Sequence, residues 1–297
     1  MKSLRRSVES RSAATPNAGG LEAYVRTAII EGRDLEYLDI GAGQPILLVH
    51  GTGGSWRLWR RNVVELAQGF RIIVPSLPGF GDSDRLSTAP NDLKPYADCL
   101  AGLLDELGID TAVAVGHSLG GLVCIRFASV HQPRLQGLVL VDTSAAELGR
   151  IHLAIVARGL RIARVVSRHP RVLRQLVERK RLRRRFLGYL VHDPDSVEPE
   201  TLAEELSGFV SVGLVDAVRA GAREQATRRN IIIAVPTSII WGRYDRILPL
   251  RLAHSLAKEI PHSQLVVIED VGHAPMFEDP TAFNVALVSC VRGAAGI

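Results

Sequence analysis

Residues 112–121 read AVAVGHSLGG, and this stretch decides the fold class. Ala112–Val115 is short, apolar and partly β-branched, as a buried strand is. Gly116-His117-Ser118-Leu119-Gly120 then fits G-x-S-x-G, and the apolar run from Leu122 to Ala128 is long enough for a helix packed on a sheet. Strand, tight turn and helix together are the setting in which this pattern presents a nucleophile. A serine hydroxyl is a weak nucleophile and must be held against a base. A sharp turn lifts Ser118 off the sheet, while Gly116 and Gly120 leave room where side chains would strike the neighbouring strand and helix. The helix start adds backbone N–H groups, that of Leu119 among them, and a positive dipole end where an oxyanion forms.

The chemistry also needs a base, an acid and a second oxyanion donor. Pro45–Val49 reads as a central strand buried on both faces, and it delivers His50-Gly51-Thr52-Gly53-Gly54. A glycine-rich turn after such a strand frees N–H groups to face a ligand. No Gly-Lys-Ser/Thr follows, so a phosphate loop fits poorly. Trp56–Gln68 is expected to be helical. Arg71–Pro75 is the next strand, and Asp82 and Asp84 in the loop after it read as turn formers. Leu93–Leu107 is a helix stopped by Gly108. Leu135–Val141 is a buried strand ending at Asp142, a reserve candidate for the acid. Pro236–Trp241 leads to a loop with Asp245, and Gln264–Ile268 to a loop with His273. With the opening strands Tyr24–Ile30 and Leu35–Ile40, this makes a mostly parallel α/β sheet of eight strands, with helices on both faces.

The strand pattern lapses from 145 to 230, where helical segments are expected over Leu148–Val166, Arg171–Leu190 and Glu200–Val218. Arg150 to Arg185 carries thirteen Arg and Lys against one acid, Glu178. A solvated helix face is the favoured reading; attraction to an anionic membrane surface or to an acidic ligand are the alternatives. Nothing resembling a base-reading motif accompanies the run, so no nucleic-acid partner is expected.

The 297 residues carry a net charge of +5, and 46% are hydrophobic, ample for a large core. No apolar run reaches the roughly 18 residues of a membrane span. Residues 1–20 lack an apolar signal region and read as a flexible tail. Cys99, Cys124 and Cys290 match no metal or redox spacing and read as reduced, buried thiols of a cytoplasmic protein.

From about Tyr24 to its end, the chain resembles the α/β-hydrolase fold superfamily, in its serine-nucleophile branch. The matching motifs are His50-Gly51-Thr52-Gly53-Gly54, Pro78-Gly79-Phe80-Gly81-Asp82-Ser83, Gly116-His117-Ser118-Leu119-Gly120-Gly121, Trp241-Gly242-Arg243-Tyr244-Asp245 and Gly272-His273-Ala274-Pro275, in that order. The resemblance implies a core of 21–144 and 231–297 with a helical, Arg-rich cap at 145–230. It implies a triad of Ser118, Asp245 and His273, oxyanion N–H groups from Thr52 and Leu119, and a pocket shaped by His50, Gly51, Gly53 and His117. It implies no metal and no cofactor. The expected substrate is a small molecule: a carboxylic ester with a small to medium apolar acyl group, or the ketone of a C–C hydrolase acting on meta-cleavage products or β-diketones. Cap arginines would suit a substrate carboxylate in the latter. A non-catalytic ligand-binding role is the further alternative. Relatives with Asp at the elbow, the haloalkane dehalogenases and epoxide hydrolases, differ at Ser118. The loop Gly51–Ser55 also departs from the Gly-Gly-Pro-Gly type of meta-cleavage hydrolases.

Overall fold

A computed structural model describes residues 18–144, 150–227 and 233–295. Expectations for residues 1–17 of the tail, and for the insertion at 145–149 and 228–232, lie outside the described residues. Residues 18–20, expected in the tail, belong to a 3₁₀ segment, Ala18–Tyr24, whose Leu21 is buried.

Eight strands form one sheet: β1 (Val25–Ile30), β2 (Arg33–Gly41), β3 (Pro45–Val49), β4 (Arg71–Pro75), β5 (Ala112–His117), β6 (Leu135–Val141), β7 (Thr237–Gly242) and β8 (Gln264–Ile268). Their order is β1-β2-β4-β3-β5-β6-β7-β8. Only β2 runs against its neighbours, β1 and β4; the other pairs are parallel. β3, β5 and β6 are nearly continuous apolar runs because helices cover both faces.

The helices are α1 (Val63–Leu66), α2 (Lys94–Glu106), α3 (Leu119–Val130), α4 (Arg150–Ser167), α5 (Pro170–Glu178), α6 (Lys180–Leu187), α7 (Pro199–Ser207), α8 (Leu214–Thr227), α9 (Arg251–Glu259), α10 (Pro275–Glu278) and α11 (Pro280–Ala295). α2, α3 and α9 bury their apolar sides on one face of the sheet, α1 and α11 on the other. α4–α8 follow one another between β6 and β7 and lie over the ends of the strands that carry the loops described below. No helix among the described residues is long and apolar enough to cross a membrane. Cys99, Cys124 and Cys290 are free and buried.

Three expected helices are broken. Trp56–Gln68 is a 3₁₀ turn, Trp56–Trp59, then the short α1. In a 3₁₀ turn residues i and i+3 eclipse, so Trp56 and Trp59 both enter the core. Arg171–Leu190 splits at Arg179, whose backbone is extended. Continued unbroken, α5 would carry Lys180 and Arg184 along the apolar row of Leu173, Leu176 and Val177. The break resets the phase so that Leu187 is buried instead. Glu200–Val218 splits at Gly208–Val210 and Gly213, where the insertion touches the core loops.

The basic run is mostly a solvated face. Arg171, Arg174, Arg179, Lys180, Arg181, Arg184 and Arg185 are exposed. Arg183 is the exception, 5% exposed, donating to Asp195 Oδ1 at 2.5 and 2.9 Å and to the Val177 carbonyl at 2.9 Å. Arg184 takes the other oxygen of Asp195 at 2.6 Å.

Arg183 and then Arg184 hold the Asp195 carboxyl below the usual carboxylate range. A lowered native value gives stability that is present above the unfolded value and lost as pH falls through the native one. Asp195→Asn is therefore expected to lower the thermal midpoint at neutral pH, and the gap to wild type should close on acidification below the ordinary carboxylate range. Paired melting curves across a pH series test this; a gap independent of pH would refute it.

Candidate active site

The turn from β5 into α3 places Ser118 at φ 52°, ψ −117°, a conformation that costs a non-glycine residue roughly 1–3 kcal/mol. The surroundings fix it. The Ser118 N–H donates to Val141 at 2.9 Å, and its carbonyl accepts from Thr143 Oγ1 at 2.6 Å. A Cβ on Gly116 would lie 2.5 Å from the Gly120 carbonyl, and one on Gly120 2.4 Å from the carbonyls of Val49 and His50. Both glycines are thus required by backbone crowding.

Ser118 Oγ lies 3.2 Å from His273 Nε2, and His273 Nδ1 lies 2.7 Å from Asp245 Oδ2. Asp245 and His273 are buried at 5% and 4% exposure. Asp245 Oδ1 accepts from the N–H groups of Ile247 and Leu248, both at 2.8 Å, which leaves Oδ2 to the imidazole. A carboxylate facing Nδ1 assigns the proton there and makes Nε2 the acceptor for the serine hydroxyl.

The loop bearing His273 is tied down on several sides. Its carbonyl accepts from His117 Nε2 at 2.8 Å, and its N–H donates to the Leu190 carbonyl at 3.2 Å. Glu278 accepts from the N–H of Gly272 at 2.9 Å, of Ala274 at 3.3 Å and of His192 at 2.7 Å. It thus joins the His273 loop to residues after α6. Nothing in the order of amino acids marks Glu278 for this task.

Asp142, the reserve acid, is fully buried but does not bond His273. Its Oδ1 accepts from the Gly242 N–H at 2.9 Å. Burial, then the charge of Asp245, push its carboxyl well above the usual range, so it sits there as a neutral acid. Asp142, Asp245 and His273 are the one group of potential metal ligands among the described residues. Seating a cation there would break the Asp245–His273 hydrogen bond.

His50 does not line the cavity, contrary to expectation. Its Nε2 accepts from the Leu77 N–H at 2.9 Å, and Nδ1 donates to the Gly51 carbonyl at 2.8 Å. Burial pushes its value down to about 4, so the ring is a neutral brace for the loop. Gly51, Thr52 and Gly53 do line the cavity, as does His117. His117 is also neutral, pushed down to about 3 by burial. A Cβ on Gly51 would lie 2.6 Å from His117 Nδ1, and Gly53 stands at φ +79° beneath the Phe209 ring. Among the described residues, no acceptor takes the N–H of Thr52 or of Leu119.

The cavity over Ser118 has a volume of about 230 Å³. Its walls are mainly apolar, with Leu160, Leu206, Phe209 and Phe277 among them. No arginine or lysine lines it among the described residues, so the described arginines of the insertion are not placed to meet a substrate carboxylate, the purpose that C–C hydrolysis would have given them. One acid lines it, Glu205 of α7. The i, i+3 and i+4 spacing of Leu202, Glu205 and Leu206 carries the signal, because it puts the carboxyl on the apolar face.

A model of the alpha/beta hydrolase fold matches residues 44–280. An uncharacterised protein of Mycobacterium tuberculosis is 34% identical over 254 residues, covering 82% of this chain and 74% of that one. A 2-hydroxymuconate semialdehyde hydrolase of Pseudomonas sp. (strain CF600) is 29% identical over 271 residues, covering 87% and 90%. A thermophilic esterase from Thermogutta terrifontis, a solved structure, superposes with a TM-score of 0.69 at 29% identity, covering 91% of this chain and 99% of that one.

The insertion rests on the Gly51–Gly54 loop through Gly208, where a Cβ would lie 1.8 Å from the Gly53 carbonyl. Gly208→Ala must displace one of the two backbones, and overpacking of this kind costs about 1–3 kcal/mol. The thermal midpoint should fall, and so should the rate at which a fluorophosphonate modifies Ser118. Unchanged values of both would mean that the contact constrains nothing.

Proposed function

Because the chain belongs to the alpha/beta hydrolase fold family, we propose that it cleaves carboxylic esters with a Ser118–His273–Asp245 triad, α4–α8 serving as the cap. One observation carries the reading: Ser118 Oγ, 3.2 Å from His273 Nε2, opens onto an apolar cavity without a cationic side chain among its described lining. Such a site suits a neutral acyl chain.

In this mechanism His273 Nε2 takes the proton as Ser118 Oγ attacks the ester carbonyl. The carbonyl oxygen becomes an oxyanion held by the N–H groups of Thr52 and Leu119, each worth roughly 3–4 kcal/mol in the transition state. Asp245 keeps the His273 tautomer and stabilises the imidazolium. The imidazolium then gives its proton to the leaving alcohol, and water repeats the sequence on the acyl-enzyme. Gly51 and Gly53 let the loop approach the substrate, and the cap keeps bulk water out. His117 acts one step back, through its bond to the His273 carbonyl.

C–C bond hydrolysis is the second reading, favoured by the 29% identity to a 2-hydroxymuconate semialdehyde hydrolase. That semialdehyde bears a carboxylate, for which the described cavity lining offers Glu205 but no cation. The ester reading therefore stands ahead of it.

Turnover of p-nitrophenyl esters of increasing acyl length is the direct test. Ser118→Ala should lose about 10⁴-fold or more of kcat without loss of folding. Asp245→Asn should lose about 10⁴-fold, as a wrong tautomer does. Asp142→Asn should lose far less, since an amide replaces an already neutral acid. Equal losses at Asp142 and Asp245 would reassign the acid. A wild type that turns over a dienoate but no ester would move the assignment to C–C hydrolysis, and one that does neither would leave a binding protein.

A further inference from the structure

We propose that Glu205 selects the substrate: it receives a hydrogen-bond donor, hydroxyl or ammonium, on the arm of the ester lying under the cap, and it turns away carboxylates. The proposal deepens the ester-hydrolase reading and rests on it.

The geometry is that of a polar group left open inside an apolar chamber. Glu205 lines the same cavity as Ser118 and His273, flanked on its own helix by Leu202 and Leu206. Glu205 is half-buried, and no described residue donates a hydrogen bond to its carboxyl. The cations on that side are engaged elsewhere. Arg60 pairs with Glu204, and Arg57 lies 3.9 Å from Glu36 and over the Trp56 ring. An acid held among apolar side chains without a partner is unfavourable unless something binds it. No described residue of the wall donates to it, so the partner comes with the ligand. Burial pushes the carboxyl up to about 7, opposed by the charges of Arg60 and Arg57 and helped by that of Glu204. The other titratable groups facing the chamber are His117, His273 and Tyr189.

This has a consequence for selectivity. A purely apolar pocket discriminates weakly between chains that differ by one polar group, whereas a half-buried, unpartnered acid in its wall disfavours a ligand that covers it and leaves it unpaired. It also repels a carboxylate once ionised.

The test uses matched p-nitrophenyl esters ending in methyl, hydroxyl, ammonium or carboxylate. Wild type should favour the hydroxyl and ammonium esters over the methyl ester by about 10- to 100-fold in kcat/KM, the scale of a hydrogen bond to a charged group. The carboxylate ester should be the poorest. Glu205→Leu should invert the order in favour of methyl. Glu205→Gln should keep the hydroxyl preference and lose the gap between ammonium and carboxylate. In wild type the ammonium-to-methyl ratio should rise as pH increases through about 7, where the acid ionises. In Glu205→Gln it should stay flat. Taking the ratio cancels any pH dependence that the two esters share.

Ratios unaltered by Glu205→Leu, in a variant that still melts cooperatively and still reacts with a fluorophosphonate, would overturn the proposal. Should wild type hydrolyse no ester, the ester reading fails, and Glu205 is then tested by binding alone. An alkyl amine, more than the alkyl carboxylate of equal length, should raise the thermal midpoint of wild type and not of Glu205→Leu. Equal shifts in the two proteins, or none in wild type, would refute the role of Glu205.

Discussion

The molecule is built around a crowded turn. Between β5 and α3, three backbone segments meet so closely that a single methyl group on Gly116 or Gly120 would overlap a carbonyl. The crowding forces Ser118 into a conformation that an L-residue avoids, and the bonds to Val141 and Thr143 keep it there. That cost is local, and the parallel sheet absorbs it. β3, β5 and β6 lie side by side at its centre, so the loops after β3 and β5 and Asp142 at the end of β6 meet at one edge. β7 and β8 then bring Asp245 and His273 to the same edge.

Around that edge, groups of similar type are set to different tasks by their surroundings. His50 and His117 are kept neutral by burial and hold backbone. His273 faces a hydroxyl on one nitrogen and a carboxylate on the other. Among the acids, Asp245 is turned to His273 by two backbone N–H groups, Asp142 is kept neutral by burial, and Glu278 gathers three N–H groups. Glu205 is the acid that faces the chamber.

Much of this was legible in the amino-acid order, and for physical reasons. A strand covered on both faces is a short apolar run, so β3 to β8 stood out along with the loops that follow them. Ser118, Asp245 and His273 each come after such a run. What was not legible depends on contacts between distant segments. The breaks at Arg179 and Gly208 are imposed by what α5–α8 meet, since local propensity favours continuous helices there. Arg183 is buried in the middle of a run whose described charges are mostly solvated, because Asp195 folds back onto it. His50 was expected at the ligand and holds the loop instead, a distinction made by the Leu77 N–H across the sheet.

The His273 loop is tied to the segment inserted between β6 and β7 as well as to the sheet side of the molecule. Its N–H is bonded to Leu190, and Glu278 grips the His192 amide along with its own loop. Leu190 and His192 belong to the insertion, so both anchors hold only while that segment keeps its place. The placing of the imidazole ring is therefore shared between the sheet and the segment inserted between β6 and β7.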